Sequence, residues 1–129
     1  MTEPCDLFLT EMGRLLKKGE LSCVEIVESC LKRYDACNDR LKAFVSLAKE
    51  KVLNEARQMD STKPHPPGDL WGIPIAVKDL IDVAGEITTQ GSSFFRNAPP
   101  ADHDAPIVQR LKRAGAISFG KTNLHEFAW

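Results

Sequence analysis

The sequence predicts an α/β fold in which amino-terminal helices lead into a βαβ unit. Three observations point there. Apolar residues recur at helical spacing through residues 1–60, a proline-rich stretch then interrupts the pattern, and two short β-branched runs, Ile73–Val77 and Ala116–Phe119, flank one further helical stripe.

The 129 residues suffice for one domain or part of one, divided into a helical region 1–60, a linker 61–69 and a βαβ region 70–129. With 43% hydrophobic and 27% charged residues the composition is that of an ordinary globular protein, and a net charge of -1 offers no electrostatic footprint for nucleic acid or an anionic membrane. No apolar run reaches membrane-spanning length. The start, Met1-Thr2-Glu3-Pro4-Cys5-Asp6, lacks the basic and apolar regions of a secretory signal, so a cytoplasmic location is expected.

In chain order, Phe8, Met12, Leu15 and Leu16 form one face of a helix over Asp6–Lys18, stopped by Gly19. Ser22-Cys23-Val24-Glu25 matches a capping box and opens a second helix running to about Ala36. Its buried stripe is Cys23, Val27, Cys30, Leu31 and Tyr34. Cys23, Cys30 and Cys37 repeat every seven residues, but that spacing places neighbouring thiols about 10 Å apart along a helix, too far for a disulfide or a shared zinc. They are expected as small core residues, and no metal site is expected.

Phe44-Val45-Ser46-Leu47 reads equally as a short strand or as the start of a third helix, whose face is Ala48, Val52, Ala56 and Met59. Ser61–Gly68 holds three prolines and is the linker, with His65 expected in solvent. It is expected to part an all-helical first half from a strand-containing second half. Ile73–Val77, bounded by Gly72 and the charged pair Lys78-Asp79, is a buried strand. Thr88–Ser93 reads as a flexible polar loop. Asp104 is a candidate cap for a helix with Pro106 in its first turn and Ile107, Val108, Leu111 and Ala114 on its inner face, closed by Gly115.

Strand, helix, strand in that order implies parallel neighbours with their carboxyl ends on one edge. Lys78 and the stretch Gly120-Lys121-Thr122-Asn123 are therefore expected to face one crevice. Ligands of open α/β sheets bind at that edge, where a lysine partly withdrawn from water can act as a base. The other reading of Lys78 is a solvated strand end. Gly115–Thr122 also satisfies the spacing of a phosphate loop, but a helix precedes the first glycine and the four residues between the glycines read as strand, against nucleotide binding. Gly91-Ser92-Ser93 shows no oriented base or oxyanion donors for a serine nucleophile, and His103 and His125 have no ligand spacing.

Four stretches, Gly72–Asp79, Thr88-Thr89-Gln90-Gly91-Ser92, Val108–Ala116 and Gly120–Ala128, resemble in order and spacing the amidase signature family, which includes general amidases and the A subunits of aspartyl/glutamyl-tRNA amidotransferases. The resemblance implies part of that family's α/β/α fold and hydrolysis of a carboxamide to acid and ammonia by a Ser-Ser-Lys triad, without a cofactor. The family lysine falls on Lys78, which would accept a proton from a bridging serine that activates the nucleophilic one. The Gly/Ser-rich stretch that carries both serines has no match in this chain, and Ser92 and Ser93 do not occupy those positions. The chain is thus expected to be an amino-terminal segment, inactive alone, whose parent takes a small-molecule amide and binds neither nucleic acid directly nor a membrane. A non-catalytic partner-binding module is the competing reading. An open strand edge and apolar face are expected to leave the segment marginal and prone to association.

Overall fold

Ser22 and Glu25 close the expected capping box: the Ser22 hydroxyl accepts from the Glu25 amide at 3.1 Å, and the Glu25 carboxylate accepts from the Ser22 amide at 2.8 Å. In the computed structural model, which describes residues 3–62, 64 and 67–129, this start opens the longest helix, α2 (Cys23–Leu41). The remaining elements are α1 (Leu9–Lys18), β1 (Phe44–Ser46), α3 (Lys49–Thr62), β2 (Pro74–Lys78), α4 (Pro106–Arg113) and β3 (Ile117–Thr122), with short 3-10 turns at Pro4–Asp6, Ser93–Phe95 and Glu126–Ala128. Expectations for Lys63, His65 and Pro66 of the linker, and for Met1 and Thr2, fall outside the described residues.

Several boundaries differ from the sequence reading, each for a physical reason. α1 begins at Leu9 because the Pro4–Asp6 turn precedes it, and it ends as expected on Gly19, whose left-handed backbone (φ 72°) returns its amide to Leu15 and Leu16. α2 continues past Ala36 to Leu41, keeping Asn38 helical. The Asn38 side chain then holds the backbone of Phe44 from both sides, accepting from its amide at 2.8 Å and donating to its carbonyl at 3.2 Å. Asp60 of α3 accepts from the amides of Cys23 (2.8 Å) and Val24 (3.0 Å), joining the end of one helix to the start of the other. α4 is not capped by Asp104: Ala105 is its N-cap, with Pro106 at the first position, and the Asp104 carboxylate instead takes the Ala84 amide at 2.8 Å and the Lys112 ammonium at 2.8 Å.

Phe44–Ser46 resolves as a strand. The sheet order is β1-β3-β2, with β2 parallel to β3, as the βαβ reading expects, and β1 antiparallel to β3. The first sixty residues are therefore not purely helical, because β1 crosses the linker to pair with the end of the chain. One core gathers Met12, Leu16, Cys23, Ile26, Val27, Val52 and Ala56 from the three amino-terminal helices around Ile73, Ile117 and Phe119. A smaller core joins Val77, Val83 and Val108 under α4. Phe44 bridges the sheet to α2, its ring edge-on to Tyr34 and to Phe119, each at 5.7 Å. A single register shift in β2–β3 between Ile75 and Ala76 pairs Val77 with Lys121 and Lys78 with Thr122.

Candidate active site

Lys78 ends β2. Side chains alternate along a strand, so Lys78 shares a face with Pro74, Ala76 and, across the ladder, Thr122. An apolar groove of about 310 Å³ runs along this face, bordered by Pro74, Ala76, Phe119 and α2. The Lys78 side chain is exposed, and among the described residues its ammonium has no hydrogen-bond or ion-pair partner.

Asp79, the next residue, points the other way and is fully buried. Its amide donates to Thr122 O at 3.0 Å and its carbonyl accepts from the Gln90 amide at 2.9 Å. Its carboxylate accepts the Thr89 amide at 3.2 Å to each oxygen, the Thr89 hydroxyl, and the Lys121 ammonium at 3.0 Å. Lys121 is equally buried, and its other two donors reach Thr88 Oγ1 at 2.9 Å and Ile87 O at 3.4 Å. An ammonium has three donors, and here each has an acceptor. Lys121 therefore does not enter a crevice with Lys78: Thr122 lies on the Lys78 face, and Lys121 lies beneath the opposite one.

The loop after Asp79 is tied down rather than free. The Ser92 hydroxyl, which is buried, donates to Glu126 at 2.6 Å, and Phe127 N donates to Gln90 O at 2.8 Å. Gly91 (φ 70°) passes so close to the chain at Leu124 that a Cβ there would lie 2.6 Å from Leu124 O. Ser92 is thus engaged with the Glu126 carboxylate in a contact that ties the loop to the end of the chain. The motif stretches Lys78-Asp79, Thr88–Ser92 and Gly120–Glu126 consequently meet in one hydrogen-bonded knot at the carboxyl ends of β2 and β3.

Other sequence candidates stay apart from this knot. The four residues between Gly115 and Gly120 belong almost wholly to β3, so no phosphate-cradling loop forms. Cys23 is buried, Cys5, Cys30 and Cys37 are half-buried, and all four are free thiols. Burial, aided by the neighbouring Cys5 thiol and opposed by Arg33, pushes the Cys30 thiol up to about 11. His103 and His125 are exposed. Among the described residues no cluster of histidine, cysteine or carboxylates could hold a metal, and no helix is long and apolar enough to cross a membrane. Sequence reasoning does not find the Asp79–Lys121 pair. Its one available signal is a lysine inside a largely buried strand whose parallel neighbour is followed directly by an aspartate.

The family model described as Amidase matches residues 25–129, which include all of the motif stretches, and the chain belongs to that family. It is 43% identical over 128 residues to the A subunit of glutamyl-tRNA(Gln) amidotransferase from Lawsonia intracellularis, covering 99% of this chain and 26% of that protein. The corresponding protein of Exiguobacterium sibiricum is 44% identical over 114 residues, covering 88% of this chain and 23% of its own length. Among solved structures, native peptide amidase from Stenotrophomonas maltophilia superposes with a TM-score of 0.85 at 32% identity, over 95% of this chain and 26% of that one. An inhibitor-bound vestigial complex connected with the origins of an s-triazine catabolic enzyme gives a TM-score of 0.89 at 34% identity, over 95% of this chain and 27% of that one. The chain spans about a quarter of the length of the curated relatives it matches.

Proposed function

We propose that this chain is the lysine-bearing segment of an amide hydrolase that converts R–CO–NH2 and water to a carboxylate and ammonium, and that Lys78 is its base. The observation that carries the reading is the contrast between two lysines at one strand end. Lys121 has every donor matched, whereas Lys78 presents an unpartnered ammonium on the edge where α/β sheets place their chemistry. In its neutral form Lys78 would take the proton of a bridging serine. That serine would take the proton of the nucleophilic serine, whose oxygen attacks the amide carbon. The leaving nitrogen departs as ammonia once protonated, and water then cleaves the acyl-enzyme. Both serines would come from the Gly/Ser-rich stretch that has no match in this chain, and Ser92 is committed to Glu126.

The test is ammonia release from a panel of carboxamides by the complete enzyme carrying this segment. Lys78→Ala is expected to lower kcat by about a thousandfold, the usual scale for losing a positioned base. Retention of activity within tenfold of the parent overturns the assignment. The 129-residue chain alone is expected to release no ammonia, and release that disappears in Lys78→Ala would refute the need for outside serines.

The high identity to the A subunits of glutamyl-tRNA(Gln) amidotransferases favours a second reading, in which the ammonia is passed on rather than released. Partner proteins would then be required, and glutamine-dependent amidation of glutamyl-tRNA on their addition distinguishes it from a free-standing amidase.

A further inference from the structure

The Asp79–Lys121 pair is an expensive way to fill a core. Both side chains are fully buried, and replacing a buried ion pair by apolar residues of similar volume is often neutral or stabilising. What the pair supplies beyond cohesion is direction. Asp79 is held through its amide, its carbonyl and both carboxylate oxygens, and its partners come from two separate segments: Thr122 and Lys121 of β3, and Thr89 and Gln90 of the following loop. Lys121 fastens the same loop at Ile87 and Thr88. Lys78 precedes Asp79 directly, and the peptide joining them donates to Thr122 O at 3.0 Å and accepts from the Ile81 amide at 2.9 Å, so the backbone at Lys78 is fastened although its side chain is unheld.

We infer that Asp79 and Lys121 are positioning residues for Lys78: from the opposite face of the sheet they lock the carboxyl end of β2 against β3 and the Ile87–Ser92 loop, and so fix where the base can reach. The inference rests on the function proposed above. Rigid support of a reacting group by groups that never touch substrate acts on the chemical step, because the barrier depends steeply on placement whereas ground-state binding does not.

The test uses the complete enzyme. Lys121→Met keeps the length of the side chain and removes its charge, and Thr88→Val removes only the hydroxyl 2.9 Å from the ammonium. The expected result is a fall in kcat of about tenfold or more in Lys121→Met and about threefold in Thr88→Val, with KM within about twofold in both. A kcat within twofold of the parent in the folded variants, or a loss carried by KM, overturns the inference. Should Lys121→Met fail to fold, Thr88→Val decides by the same split. Lys78→Ala, assayed in parallel, separates the two proposals: an active Lys78→Ala removes the base and with it the inference, whereas an inactive Lys78→Ala beside an unimpaired Lys121→Met removes the positioning role alone.

Discussion

Removing the Lys121 ammonium leaves Asp79 as an uncompensated carboxylate in a site that excludes water. At 3.0 Å the two charges attract by about 5 kcal/mol when the effective dielectric constant is near 20. Desolvation of each ion costs several kcal/mol, so the intact pair adds little net stability, while loss of one partner costs about 3 to 5 kcal/mol. Lys121→Met/Asp79→Asn removes both charges and leaves an amide to accept the Thr89 bonds, and it should be more stable than Lys121→Met alone. A double-mutant cycle should then return a favourable coupling of about 1 to 3 kcal/mol. Urea titration followed by circular dichroism measures it. Sulfate in the buffer strengthens burial, so that a variant losing most of a typical domain's stability still shows a native baseline. The reasoning fails if the two single costs simply add, or if Lys121→Met costs less than about 1 kcal/mol.

Two further predictions concern titration. With its thiol pushed up to about 11 from 9.0, Cys30 should react with iodoacetamide at pH 7.5 about a hundredfold more slowly in the native chain than in urea, and equal labelling rates by mass spectrometry would show that α2 is not packed as described. For Asp104, burial pushes the carboxyl up, but the Lys112 hydrogen bond, the Ala84 amide and the Lys112 and Lys51 charges outweigh it and hold the group below its ordinary 3.8. A lowered carboxyl stabilises the fold above the unfolded value and ceases to do so as the pH falls through the folded one. Asp104→Asn should therefore cost about 1 kcal/mol at pH 7, allowing for the partly exposed Lys112, with the difference vanishing as the pH drops below the folded value. A gap that persists unchanged at pH 2 would exclude the ion pair as its cause.

What the sequence made legible was local. The Ser22–Glu25 box and the Gly19 stop are written within four residues of their effects, and both stand where the pattern puts them. α2 outran its expected end because nothing between Ala36 and Leu41 breaks a helix and the reason to keep Asn38 helical lies six residues on, in Phe44. α3 likewise runs to Thr62, where the Ser61 and Thr62 hydroxyls bond back to Gln58 O. Asp104 looked like a cap because an acidic residue before Pro106 usually is one, yet its partner Ala84 is twenty positions away. The site divides in the same manner. Lys78 stands out as a candidate because an apolar strand ends there, whereas Lys121 reads as the point where the chain leaves the core, and its burial beside the Asp79 counter-charge is not visible in the sequence.

That division follows from how one edge holds two lysines in opposite surroundings. β2 and β3 are in register, Val77 with Lys121 and Lys78 with Thr122, so the two ammonium groups leave the sheet on opposite faces although they are neighbours across the ladder. On the α4 side a carboxylate, a hydroxyl and a carbonyl take every proton Lys121 offers. A buried ammonium with an acceptor for each of its three donors is held in place, which suits a fixed support. On the other face Lys78 is exposed, and among the described residues its ammonium has no hydrogen-bond or ion-pair partner. The base proposed at Lys78 needs that freedom, and on a long side chain it also needs a fixed root, the role inferred for Asp79. Shifting β3 by one residue against β2 would pair Lys78 with Lys121 and turn both lysines to one face, parting Lys121 from Asp79. The register shift between Ile75 and Ala76, which sets the face on which Lys121 emerges, is therefore as much a part of the candidate site as Lys78 itself.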